Sequence, residues 1–227
     1  MQYVYPPVRA SFLQLIFSFA FVIGAQAASP ASDGKRLYAP CVVCHQPNAW
    51  GSPDGSIPNL AGQKERYLAT QIASFRSKAR VSTAMRLVTA HSTFSDPREV
   101  SSLADYLSAL EMNTKPVTGA GEHLRLGQEI YTHICAGCHG HDGQGGADDV
   151  VPRIAKQHYP YLRRQIDEVA LLHRKLTSTE MTTVLRNMRP QEKDALADYI
   201  SRLEKSEALL DLSPRDTRET LPGPISH

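Results

Sequence analysis

Cysteine is scarce in this 227-residue chain, which contains four, and long apolar runs are absent beyond the N-terminus. The one strongly apolar stretch, Phe12 to Ile23, falls short of the roughly 18–20 residues that span a bilayer. The formal net charge is only +2, and the lack of a basic stripe argues against nucleic acid as a partner. No segment alternates apolar and polar residues over the length of a strand, which argues against a sheet-based fold.

The N-terminal segment has the three parts of a secretory signal peptide. Arg9 and the amino terminus supply positive charge, the short apolar run follows, and Ala25-Gln26-Ala27 forms an A-x-A-like cleavage site. The sequence therefore predicts a signal peptide over residues 1–27 and export to the periplasm. The remaining 200 residues contain no segment that could cross a membrane.

All four cysteines belong to two copies of one motif. Cys41-Val42-Val43-Cys44-His45 and Cys135-Ala136-Gly137-Cys138-His139 both read C-x-x-C-H, the pattern of covalent c-type haem attachment. In this motif the two thiols bond to the haem vinyl groups, and the histidine binds the iron from one side. The sequence therefore predicts two covalently attached haem c groups per chain.

Three other sites use paired cysteines, namely zinc sites, disulfides and thioredoxin-like redox motifs. Compact zinc sites bring their pairs within about 15–20 residues of each other, whereas these pairs lie 94 residues apart. Thioredoxin-like motifs accompany a βαβ pattern, which this sequence lacks. The similar sequence around both motifs favours haem over all three alternatives.

That similarity is an internal repeat. Pro58-Asn59-Leu60-Ala61-Gly62-Gln63 and Pro152-Arg153-Ile154-Ala155-Lys156-Gln157 follow the two motifs at an offset of 94. Near the end of each copy, Leu103-Ala104-Asp105-Tyr106-Leu107 matches Leu196-Ala197-Asp198-Tyr199-Ile200 at an offset of 93. Other matched pairs are Gly34 and Gly127, Tyr38 and Tyr131, Tyr67 and Tyr161, and Gln71 and Gln165.

Each copy is predicted to form three helices and no strand, so the expected fold class is all-α. In copy one, a first helix runs into Cys41, apolar spacing predicts a second over 64–79, and Asp96-Pro97 opens the third. The corresponding helices of copy two are expected over 122–134, 159–174 and 190–203. The predicted organisation is a domain over 28–112, a linker over 113–121, a domain over 122–205 and a disordered tail over 206–227.

The second axial ligand of each iron decides its chemistry, because a methionine thioether raises the reduction potential whereas an empty site permits catalysis. Met85 lies in a predicted loop between the second and third helices of copy one. Met181 and Met188 both lie in the corresponding region of copy two. Because Met85 and Met181 share a valine three residues later, we expect these two to be the ligands, with Met188 as the alternative to Met181.

Two other histidines, His158 and His173, could in principle ligate a haem. Neither has a histidine counterpart in copy one, where the offset of 94 reaches Lys64 and Ala79. Both are therefore expected at the surface.

The order of haem motif, Pro-x-Leu-Ala-x-Gln segment, tyrosine-containing helix, loop methionine and Leu-Ala-x-Tyr helix resembles the cytochrome c4 family. The resemblance covers about residues 31–205 and is strongest over Pro58 to Arg80. It implies two tandem class I cytochrome c-like haem domains whose haems face each other across an interface. It also implies haem attachment through Cys41, Cys44, Cys135 and Cys138, with the axial ligand pairs His45 with Met85 and His139 with Met181.

Members of this family are periplasmic electron carriers, so the resemblance implies electron transfer rather than enzyme catalysis. The expected partners are redox proteins: a bc1-type complex or a dehydrogenase as donor, and a terminal oxidase or another protein as acceptor. Related diheme domains serve as electron-transfer subunits of periplasmic dehydrogenases, for example in sulfur-compound oxidation, which is the alternative function. A haem enzyme is disfavoured because no cysteine remains for a thiolate ligand. Peripheral association with a membrane stays open.

Copy one departs from the family pattern directly after its haem motif. Gln46-Pro47-Asn48-Ala49-Trp50 stands where copy two keeps the glycine-rich turn Gly140-His141-Asp142-Gly143. Met85 is also further from its third helix than Met181 is. We therefore expect the two haems to differ.

Overall fold

The computed structural model of the chain describes residues 1–2, 30–175 and 177–204. The predicted signal peptide, apart from its first two residues, and the predicted C-terminal tail lie outside these ranges. Within them, no helix has the length and apolar character needed to cross a bilayer.

The first domain is helical, as predicted, and contains the three expected helices together with shorter ones. Its elements are α1 (Pro30–Tyr38), a 3₁₀ turn (Ala39–Cys41), α2 (Val42–His45), α3 (Glu65–Arg76), α4 (Thr83–Thr89), a second 3₁₀ turn (Ser92–Ser95) and α5 (Pro97–Ala109). The second 3₁₀ turn fills the longer stretch before α5 and buries Phe94 in the core.

The second domain repeats this order. Its elements are α6 (Leu124–Ile130), a π-helical turn (Tyr131–Cys135), α7 (Ala136–His139), α8 (Tyr159–Ala170), α9 (Thr179–Asn187) and α10 (Pro190–Arg202). The described residues of both domains form no sheet. The predicted all-α class is therefore confirmed.

A glycine allows the first and last helices of each domain to cross in close contact. A Cβ at Gly34 would lie 2.4 Å from the Ser102 carbonyl oxygen of α5. A Cβ at Gly127 would lie 2.2 Å from the Ala195 carbonyl oxygen of α10. Because both distances are far below van der Waals contact, only glycine fits at these two matched positions of the repeat.

Tyrosines pack beside each helix crossing. The rings of Tyr38 and Tyr106 are tilted at 47° with their centroids 5.9 Å apart. Those of Tyr131 and Tyr199 are tilted at 49° at 5.7 Å. Both distances lie in the range of favourable aromatic pairs, which explains why tyrosine recurs at these positions of the repeat.

The helices predicted over 64–79 and 159–174 correspond to α3 and α8, and both are shorter than predicted. Lys78 and Leu172 lie at the same position of the repeat and have left-handed φ values of 62° and 61°. These residues turn the chain away from α3 and α8. Arg80 and Arg174 follow, and they form an antiparallel β-bridge between the two domains.

Residues of the linker are held against the second domain by one carboxylate. The N–H groups of Gly119 and Gly121 donate to Asp198 at 2.9 and 2.7 Å. Arg202 also binds this carboxylate, at 2.8 Å. The carboxylate of Asp198 is buried, whereas its counterpart Asp105 in copy one is exposed, so this matched residue has different surroundings in the two domains.

His158 is buried, and the expectation of a surface position was wrong. Its Nδ1 accepts a hydrogen bond from Val117 N at 3.0 Å, so its proton lies on Nε2, 2.7 Å from the Trp50 carbonyl oxygen. The side chain thus connects the linker, the first domain and the start of α8. This role has no counterpart in copy one, which is why the repeat did not reveal it. His173 is exposed, as predicted.

Candidate haem-binding sites

In each C-x-x-C-H motif the first cysteine ends the 3₁₀ or π-helical turn, and the second, three residues later, lies in the short helix that follows. Cys41 and Cys135 are half-buried, Cys44 and Cys138 are exposed, and all four thiols are free of disulfides. Residues three apart in a helix lie on the same face. Both thiols of a motif are thus placed to bond to one haem.

The thiols of Cys41 and Cys135 are protonated in the surroundings that the chain provides. Burial, together with the neighbouring cysteine of the motif, raises the pKa of each thiol to about 11. Over the described ranges, no group of three or more histidine, cysteine and carboxylate side chains is arranged to hold a metal ion.

The motif histidines are oriented by proline carbonyl groups. His45 Nδ1 lies 3.1 Å from the Pro58 carbonyl oxygen, and His139 Nδ1 lies 3.2 Å from that of Pro152. A carbonyl oxygen can only accept, so each histidine carries its proton on Nδ1 and keeps the Nε2 lone pair free for a metal. Burial lowers the pKa of both imidazoles, which favours the neutral form that a metal ligand requires.

The turn after His45 keeps its shape although its glycines are replaced. Gln46 has φ 67° and ψ 160°, close to φ 79° and ψ 155° at Gly140. In both domains a buried tyrosine hydroxyl donates to the carbonyl of this residue, from Tyr38 at 2.7 Å and from Tyr131 at 2.6 Å. After its haem motif, copy one therefore differs from the glycine-rich turn of copy two in its side chains and not in its backbone conformation. Holding a glutamine in this glycine region costs about 1–3 kcal/mol.

Met85 and Met181 lie in helices, and the expectation of loop methionines was wrong. Met85 belongs to α4 and Met181 to α9, each as the third residue of the helix. Ser82 Oγ accepts from Met85 N at 3.3 Å, and Ser178 Oγ accepts from Met181 N at 3.1 Å. These serines are N-caps, which stabilise the start of a helix. The repeated Ser-Thr-x-Met sequence was the signal for both helices.

Met188 has a different environment from Met181. It follows the last residue of α9 and packs against the core of the second domain. Met181 is 36% exposed and occupies the same helical position as Met85. The structure thus places Met181, rather than Met188, as the counterpart of Met85.

Two arginines at the domain interface lack carboxylate partners. Arg80 donates to Tyr161 at 2.7 Å and to Gln165 at 2.6 Å. Arg174 donates to Tyr67 at 3.0 Å. Neither guanidinium forms an ion pair with a carboxylate in the part of the chain that the structure describes.

The buried Nε of Arg80 also has no hydrogen-bond partner. Uncompensated buried positive charge is costly, and a haem carries two propionate carboxylates that could offset it. The interface therefore fits a haem-binding protein. The two arginines are themselves 94 residues apart, a match in the repeat that sequence reasoning overlooked.

The comparisons with known proteins agree with this geometry. The Cytochrome c family model matches residues 31–111 and again 124–204. Cytochrome c4 from Azotobacter vinelandii is 29% identical over 161 residues, which cover 63% of this chain and 74% of that protein. The chain belongs to the cytochrome c4 family. As a member, it has two tandem cytochrome c domains, binds two haem c groups covalently and transfers electrons rather than catalysing a reaction.

Two other relatives are informative about this cytochrome c4-type protein. The thiosulfate dehydrogenase electron acceptor of Thiomonas intermedia is 30% identical over 198 residues, which cover 77% of this chain and 84% of that protein. The crystal structure of reduced cytochrome c4 from Pseudomonas stutzeri matches with a TM-score of 0.68 at 22% identity, covering 78% of this chain and all of that one. The first relative supports redox proteins as partners, and the second supports the two-domain fold.

Proposed function

We propose that this diheme cytochrome is a periplasmic electron carrier whose irons are ligated by His45 with Met85 and by His139 with Met181. The observation that carries the proposal is the proton held on Nδ1 of both histidines by a proline carbonyl. This arrangement fixes the ring and makes its Nε2 a better electron donor to a metal. The equivalent positions of Met85 and Met181, each directly after a capped helix start, support the second half of each pair.

Bound haem c supplies one-electron exchange between ferric and ferrous iron. The residues of the chain adjust and protect this exchange. Thioether bonds from the four cysteines retain the cofactor, and a methionine ligand favours the ferrous state. His45 with Met85 and His139 with Met181 would hold the two irons and would leave neither of them open to a substrate, as a carrier requires.

Arg80 and Arg174 are proposed to offset the negative charge of haem propionates at the interface. Both guanidinium groups donate to tyrosine and glutamine side chains, and neither forms an ion pair with a carboxylate among the described residues. Positive charge beside a haem carboxylate reduces its bias toward ferric iron, because ferric iron carries the greater positive charge. The arginines would thus support the relatively high reduction potentials of an electron carrier.

The proposed acceptor is a terminal oxidase, and the proposed donor is a bc1-type complex or a dehydrogenase. A second candidate function is supported by the relative from Thiomonas intermedia, whose name describes the electron acceptor of thiosulfate dehydrogenase. In that role the chain would be a dedicated partner of one periplasmic enzyme. The same cysteines, histidines and methionines would act in both cases.

The two roles differ in which reaction changes the redox state of the holoprotein. We expect membranes from the native cells to reoxidise the reduced holoprotein rapidly, as followed by its haem absorbance, and cyanide to abolish this reaction. Absence of reoxidation by membranes would contradict the carrier role. Rapid reduction of the ferric protein by a periplasmic fraction only when thiosulfate is added would then favour the dehydrogenase role.

A further inference from the structure

Two glutamine side chains bind across the domain interface in the same way. Gln157 Oε1 accepts from Asn59 N at 2.9 Å, and Gln157 Nε2 donates to the Asn59 carbonyl oxygen at 2.8 Å. Gln63 binds Arg153 with the same pair of bonds, at 2.9 and 2.8 Å. Each glutamine ends the matched proline-to-glutamine segment of its own domain, 58–63 or 152–157, and binds the residue after the proline in the other domain.

The peptide group bound by each glutamine is the one that orients an axial histidine. The Pro58 carbonyl and the Asn59 N–H belong to one peptide group, which accepts from His45 Nδ1 at 3.1 Å and donates to Gln157. The peptide group between Pro152 and Arg153 links His139 to Gln63 in the same way. Two consecutive hydrogen bonds therefore run from the histidine of one domain to the glutamine of the other.

Hydrogen bonds on the two sides of a peptide group strengthen each other. An acceptor at the N–H polarises the peptide group, so its carbonyl oxygen accepts more strongly from the histidine. A stronger bond at Nδ1 makes the imidazole a better electron donor, which stabilises ferric over ferrous iron. Gln63, Gln157 and Asn59 are no more than 9% exposed, so water is a poor substitute for either amide.

We propose that Gln63 and Gln157 are positioning residues, each of which lowers the reduction potential of the haem in the opposite domain. Gln157 would act on the first domain through Asn59, Pro58 and His45, and Gln63 on the second. This inference rests on the proposed ligation by His45 and His139. It also implies that a motion separating the domains would break both contacts and raise both potentials, so that the domain interface controls the driving force for electron transfer.

The test is a redox titration of holoprotein carrying Gln157→Leu or Gln63→Leu. Haem methyl proton resonances, assigned through contacts with each C-x-x-C-H motif, report the two haems separately. In Gln157→Leu the ferrous-to-ferric ratio of the first domain's haem should rise roughly two- to tenfold at a fixed potential. With 59 mV per tenfold change, this is an increase of about 18–59 mV. The second domain's haem should stay near its original value, and Gln63→Leu should give the mirror image.

Arg164→Gln is the matched control. Arg164 of the second domain donates to the Ser56 carbonyl oxygen of the first at 2.7 Å, in the same loop but away from the prolyl peptide. A loosened interface would move the control and the Gln157 variant alike. Three results would overturn the inference. The reduction potentials of both haems could shift equally, only the haem in the glutamine's own domain could shift, or neither potential could shift.

If the leucine variants fail to assemble, Gln157→Asn and Gln63→Asn carry the same prediction, because their amides are one methylene too short to reach. The charge-transfer band of methionine-bound ferric iron separates the two proposals. Unshifted potentials with this band intact contradict the glutamine inference alone. A wild-type protein that lacks the band in either domain contradicts the proposed ligation itself.

Discussion

Replacing Cys41 and Cys44 together by serine is expected to give a chain with a single haem and an unfolded first domain. A domain of about 80 residues buries a limited apolar core of its own. A covalently held haem supplies a large apolar centre, and a small protein has only about 5–15 kcal/mol of stability to lose. Intact-protein mass should show one haem in place of two, and the helical circular dichroism should fall by about half.

The mirror variant, Cys135→Ser with Cys138→Ser, provides the control. It should lose the other haem and leave the first domain folded. His45 and His139 are unchanged in the two variants, so the substitutions themselves remove only the groups of covalent attachment. A double-serine chain that retains two haems, or that keeps full helical content with one, would contradict the dependence of each domain on its cofactor.

Removing the thioether of Met85 or Met181 is expected to open one iron to external ligands. Met85→Ala should bind carbon monoxide in its reduced form at one haem per chain and lose about half of the charge-transfer band. Its affected haem should fall in potential by on the order of 0.1 V, because axial ligands adjust haem potentials over a range of about 0.8 V. Met181→Ala should give the same result in the second domain.

Met188→Ala is the internal control for this experiment. Met188 packs against the second domain's core after α9, so its truncation should lower stability and leave both iron sites closed. If Met188→Ala bound carbon monoxide and Met181→Ala kept its charge-transfer band, Met188 rather than Met181 would be the iron ligand.

The haem motifs and the domain repeat could be predicted from sequence because both depend on short, local patterns. C-x-x-C-H specifies its cofactor within five residues. Gly34 and Gly127 recur because a helix crossing leaves no room for a side chain. The family and the all-α fold follow from such matches, and the comparisons confirm them.

The helices that carry the methionines were harder to predict because they are short. α4 has seven residues and α9 has nine, which gives little room for an apolar period to appear. Their starts are marked by the capping serines Ser82 and Ser178. Sequence reasoning found the shared methionine pattern and missed the cap three residues earlier.

The interface could not be predicted from one domain at a time. Gln63 and Gln157 were visible as matched residues of the repeat, yet their partners lie 90 and 98 residues away. His158 has no match in copy one, so the repeat offered no guide to its burial. Contacts between domains depend on how two folded units meet, which local spacing does not encode.

The sequence predicts that the two haem sites differ in the turn after the first haem motif, whereas the structure shows a larger difference elsewhere. The turn after the first haem motif is nearly the same in both domains, so its altered side chains leave the backbone beside His45 intact. A larger difference lies after the prolines, where Asn59 corresponds to Arg153. The guanidinium of Arg153 has an unpartnered buried Nε, and burial lowers its pKa. Its guanidinium contacts Met112 across the domain interface, so the second domain has a charged side chain at a position where the first has a neutral one.

The most direct measurement is a potentiometric titration of the wild-type holoprotein that records haem absorbance and the methionine–iron charge-transfer band together. We expect uptake of two electrons per chain in two one-electron steps, with part of the band lost in each step and no binding of carbon monoxide to the reduced protein. A single electron per chain, a band that accounts for one haem only, or carbon monoxide bound to the untreated protein would contradict a carrier with two histidine–methionine haems.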